Sequence, residues 1–90
     1  MNEEEQMIVK GEAAEVLLGT EAFSNTIDQM VQGTFQTFVN SKPEHTEGRE
    51  RAYNHYRALV DIVSTLREQV SVKDEIITKN AERNNSKEVE

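Results

Sequence analysis

Residues 52–77 read AYNHYRALVDIVSTLREQVSVKDEII. Ala52, Tyr56, Leu59, Val63, Leu66 and Val70 follow one another at steps of 4, 3, 4, 3 and 4, and Ile77 comes seven residues later. This is a heptad seam, broken only at Lys73. A seam of this kind has no chemistry of its own; it packs against another helix. The stretch decides an all-α fold and directs attention to contact rather than catalysis.

Working upstream, the long helix starts at Pro43 or Thr46, with Glu44 and Glu47 suited to the positive end of its dipole. The pattern is continuous to about Asn80. Before it, Asn40-Ser41-Lys42-Pro43 ends another helix, because proline cannot continue one and displaces the preceding residue from helical geometry. That second helix spans about 21–40. It carries Phe23, Ile27, Met30, Val31, Phe35 and Phe38 on a broad apolar face, with Thr20 as its expected N-cap. A connection of about five residues predicts an antiparallel helical hairpin. Folding about Pro43 places Phe35 opposite Ala52 or Tyr53, Val31 near Tyr56, Ile27 near Leu59 and Val60, and Phe23 near Val63.

Glu12 to Leu18 has strong helix-forming composition and Gly19 interrupts it, so a short helix is expected over about 11–18. Residues 1–10 read as a flexible acidic arm, in which Met7-Ile8-Val9 would be a strand without a partner. Residues 81–90 read as a disordered polar tail. A single helical domain over 11–80 remains. At 1.5 Å per residue the second helix is about 30 Å long and the third about 50 Å, leaving about 20 Å of overhang. Val70, Val72, Ile76 and Ile77 on that overhang are expected to meet another subunit or another protein.

Composition narrows the function. The chain has 90 residues, no cysteine and a net charge of −7. Disulfides and thiolate metal sites are excluded. No apolar run approaches the roughly 20 residues needed to cross a bilayer, and Met-Asn-Glu-Glu-Glu has the wrong charge for a signal or transit peptide. The expectation is a cytoplasmic protein without membrane partners. Residues 1–40 hold seven acids against Lys10 alone, while residues 41–90 hold ten acids against nine bases. That balance argues against general nucleic-acid binding. There is no glycine-rich phosphate loop and no nucleophile elbow, so no enzyme activity and no cofactor are expected.

Five features carry candidate roles. Asn25, Gln29, Gln32, Gln36 and Asn40 form a polar but uncharged face on the second helix. It reads either as a solvated surface or as a partly buried contact with another helix. His45, Arg49, Arg51, His55 and Arg57 cluster at the hairpin tip. Arg49, Arg51 and Arg57 are candidates for an anionic partner, including the acidic first 21 residues of a neighbouring subunit. Glu44, Glu47, Glu50 and Asp61 are interleaved with them, and internal pairing is the simpler reading. His45 with His55 matches no metal-binding spacing, and neither Glu12 with Glu15 nor Asp74 with Glu75 makes a metal site without a histidine partner. Phe35, Phe38, Tyr53 and Tyr56 read as core at the closed end of the hairpin. Lys73, at a seam position, is expected to limit stability and select register.

Leu17-Leu18, Ala22-Phe23, Phe38, then Pro43-Glu-His-Thr-Glu-Gly-Arg49-Glu-Arg-Ala-Tyr53 and Arg57-Ala-Leu59 form a further pattern. Over residues 16–67 it resembles small acidic helical proteins encoded in the head-assembly and packaging gene clusters of tailed bacteriophages. The resemblance implies a helical protein that assembles with itself or with virion components, in the bacterial host cytoplasm or the virion, and carries no catalytic residue across. The expected function is a non-enzymatic assembly or interaction protein that forms a homo-oligomer, with another virion or host protein as a further partner. The alternatives are an acidic inhibitor of a host nucleic-acid enzyme, or a DNA-packaging recognition subunit like a small terminase with its arginines toward DNA.

Overall fold

The computed structural model describes residues 1–89, with side chains described as far as Asn85. It is all-helical: α1 spans Glu3–Leu18, α2 Glu21–Val39 and α3 Thr46–Val89.

The first helix begins well before residue 11. The Asn2 side-chain oxygen accepts a hydrogen bond from the Glu5 backbone N–H at 2.8 Å, and Glu3, Glu4 and Glu5 occupy the first turn. A polar cap and three carboxylates together favour helix initiation. Residues 3–10 are therefore helix and not a flexible acidic arm, and Met7-Ile8-Val9 is not a strand. The apolar residues of α1 are spread around its circumference, so no stripe announces it in the sequence. Gly19 closes α1, its N–H donating to the Glu15 carbonyl at 3.0 Å. Thr20 holds the N-cap position of α2 with extended backbone, but its hydroxyl donates backward to the Val16 carbonyl at 2.8 Å instead of capping α2.

Asn40 caps α2 at its C-terminus, and α3 opens at Thr46, as the proline-containing break requires. His45 closes the turn by donating its N–H to the Lys42 carbonyl at 2.9 Å. The third helix continues to Val89, beyond the expected end near Asn80. Residues 81–89 are helical where a disordered tail was expected, and Glu90 lies outside the described residues.

Both shorter helices pack on α3, and they barely touch each other. Val31, Phe35 and Phe38 of α2 face Ala52, Tyr53 and Tyr56. Gly11 of α1 faces Gln69 and Lys73, while Glu3, Glu4 and Met7 lie beside Val72, Ile76 and Asn80. The distal part of α3 is thus not an unmatched overhang, because α1 covers it. Val70, Val72 and Ile76 are half-buried there, and Ile77 remains exposed.

The molecule is extended, measuring 70 × 23 × 23 Å. Its radius of gyration is 19.6 Å, against about 12 Å for a compact chain of this length. A 23 Å section fits two helices of 10–12 Å each. With two helices per section, each buries one narrow stripe. Among the described residues Ala14, Ala52 and Leu59 are the only buried apolar side chains.

Candidate interaction surface

A concavity lies between α2 and α3 near the connecting loop. It is an open groove of about 580 Å³ with Ala52 buried at its base and Val31 and Thr34 half-buried on one side. Phe35, Phe38, Tyr53 and Tyr56 line it, and each leaves about half of its surface to solvent, from 43% for Tyr56 to 61% for Phe35. Gln32 borders it, and no charged side chain does. Such a groove offers ring faces, two phenol hydroxyls and one amide, and it suits another apolar or aromatic surface.

This corrects the reading of these four aromatics as closed core. Helical spacing directs them toward the partner helix, as expected. A two-helix section has no third layer to cover the outer edge of each ring, and they line an open groove instead.

The amide face is solvent-facing: Asn25, Gln29, Gln32 and Gln36 are all exposed. Gln32 joins it to the groove.

The three arginines do not form one free basic surface. Arg49 donates to the carbonyl oxygens of Lys42 and Pro43, the second at 3.0 Å, and so fastens the loop to the start of α3. Arg57 pairs with Asp61 at 3.4 Å, an exposed i, i+4 contact worth little. Arg51 is exposed beside Glu44 and Glu47. The His45 ring accepts the Lys42 N–H through Nδ1 at 3.3 Å, and His55 is exposed. Among the described residues no group of three or more His, Asp or Glu side chains gathers to hold a metal, and no helix is long and apolar enough to cross a membrane.

Lys73 is the residue whose placement departs furthest from expectation. It does not interrupt the seam. It is 8% exposed, its stem lies against Gly11, and its ammonium pairs with Glu15 of α1 and with Asp74 at 3.2 Å. The hydrogen bond to Glu15, then that to Asp74, raises its pKa above the ordinary 10.5. Because folding raises this pKa, the pair contributes fully below the unfolded value and is lost as pH rises through the folded one. Lys73→Met keeps the stem and removes the charge. The wild type should lose stability relative to this variant as pH rises above 10.5. An unchanged difference between their melting curves across that range would contradict the pairing.

The groove and the two-helix rod together define a class: an elongated helical protein with an open aromatic surface. Compared with known protein families, curated proteins and solved structures, the chain matches none significantly.

Proposed function

We propose that this chain is a non-enzymatic assembly protein that works by self-association through helix surfaces, with α2 and α3 forming an antiparallel hairpin and α1 extending its shorter arm. The observation that carries this reading is unburied apolar surface. The accessible area is 7112 Å², whereas a compact chain of this mass exposes about 5,400 Å². The excess, polar and apolar surface together, is roughly 1,700 Å² per molecule. On that surface Phe35, Phe38, Val39 and Tyr53 are each half exposed or more. Among the described residues three buried apolar side chains are a thin core, and small domains commonly gain the rest by association. The phage setting, in the host cytoplasm or the virion, rests on the resemblance from Pro43 to Leu59.

The test is the solution mass of the intact protein, by light scattering and sedimentation across a dilution series. A dimer or larger species is expected; a monomer at every concentration would sink the proposal.

One observation favours the acidic-inhibitor reading as second. Glu3, Glu4, Glu5 and Glu12 lie on a folded helix, so they present fixed charge in place of a mobile arm. Capture of a basic nucleic-acid-binding protein, displaced by duplex DNA, would favour it.

A further inference from the structure

We propose that the aromatic groove seats a second copy of this chain, packed groove to groove about a two-fold axis. This rests on the self-association reading above and adds the surface through which it occurs.

Three observations select this occupant. The first is area. Four rings of roughly 200 Å² each, about half exposed, offer roughly 400 Å² per copy. Val39, 58% exposed and one helical turn beyond Phe35, adds to that. The sum is roughly 500 Å² per copy, an interface of about 1,000 Å² in total, at the small end of specific interfaces.

The second is charge. No charged residue occurs from Gln29 to Asn40, and from Ser41 to Ile62 four bases face four acids. Two copies can meet through this end without net repulsion. The other end, residues 1–18 with residues 63–85 of α3, carries nine acids against five bases, and would repel its own copy.

The third is self-complementarity. A two-fold interface brings a patch against itself, so its polar groups must be able to pair with their own kind. Amides both donate and accept, whereas Lys and Glu do not. Gln32 at the groove and the exposed Gln29 and Gln36 beside it meet that requirement. The acidic helix of a neighbour is a poorer occupant. It is already seated on its own α3, and Arg49, its natural counter-charge, is committed to loop carbonyls.

The experiment compares the full-length wild type with Phe35→Glu/Tyr53→Glu and with Val9→Glu on α1, by sedimentation equilibrium, with helicity followed by circular dichroism. Both groove positions are exposed, so the fold should survive. The groove pair should weaken dimerisation by at least about a hundredfold, as loss of two central aromatic anchors does. Val9→Glu should leave it unchanged. A wild-type dimer that the groove pair leaves intact would overturn the groove while sparing self-association. A wild-type monomer would overturn both, and would leave the groove for a different protein. If the groove pair loses helicity, a spin label at Asn54→Cys decides, since the chain has no other cysteine and Asn54 lies beside Phe38 and Tyr53. Strong coupling between labelled copies supports the pairing, and its absence overturns it.

Discussion

Gly11→Leu will detach α1 from α3 and cost about 3 kcal/mol, the upper part of the range for overpacking a tight contact. A Cβ at Gly11 would stand 2.7 Å from the Gln69 carbonyl oxygen and closer still to the Lys73 Cβ. Backbone cannot rotate away, and the Lys73 Cβ is fixed by its own helix, so the helices must part. The half-burial of Ile8, Leu18, Val70, Val72 and Ile76 then goes with it. Hydrogen exchange should rise over residues 3–18 while the α2–α3 region keeps its protection. Gly11→Ala lies between: the alanine gains about 1 kcal/mol of helix propensity, and the clash exceeds it. Gly33→Ala is the control, because nothing lies within 4 Å of a Cβ there. It should stabilise by about 0.5–1 kcal/mol. Melting at fixed protein concentration reads all three, at about 4–8 °C per kcal/mol. Equal melting of Gly11→Leu and wild type would show that α1 is not seated on α3.

Leu59→Ala should cost about 2–3 kcal/mol, the lower part of the range for truncating a buried leucine. Leu59 is 6% exposed and, among the described residues, is the largest of the three buried apolar side chains. The lower part applies because a two-helix section opens readily to water, and a void beside it does not stay sealed. Ile62, less than one turn further along α3, is 48% exposed. Its replacement by alanine removes a similar volume from solvent-facing surface, with an expected cost below about 1 kcal/mol. Denaturant titration separates the two through the midpoint at constant slope. Equal losses would mean that Leu59 is not part of the buried core.

The helix ends were legible where their cause is local. Gly19 closes α1, Asn40 caps α2, and α3 opens at Thr46 after the proline, each through groups within a few residues. The beginning of α1 was also written locally, in Asn2 and the three glutamates, but its apolar residues form no stripe and the acidic composition read as an arm. The four aromatics were placed on the correct faces of their helices. Their exposure was not legible, because it depends on how many layers surround them.

Lys73 shows the same boundary most clearly. In the linear chain it is a charge in an apolar seam, with no sign that Gly11 and Glu15, some sixty residues away, will meet it. Residue chemistry alone set helix type, most helix limits, the acid-rich N-terminal part and the apolar faces. The folded arrangement decided that α1 covers the distal part of α3, that Arg49 fastens the loop, and that the aromatic end stays open. Helix-forming signals act over a few residues, whereas burial is a property of what lies across from a side chain, and nothing local specifies that partner.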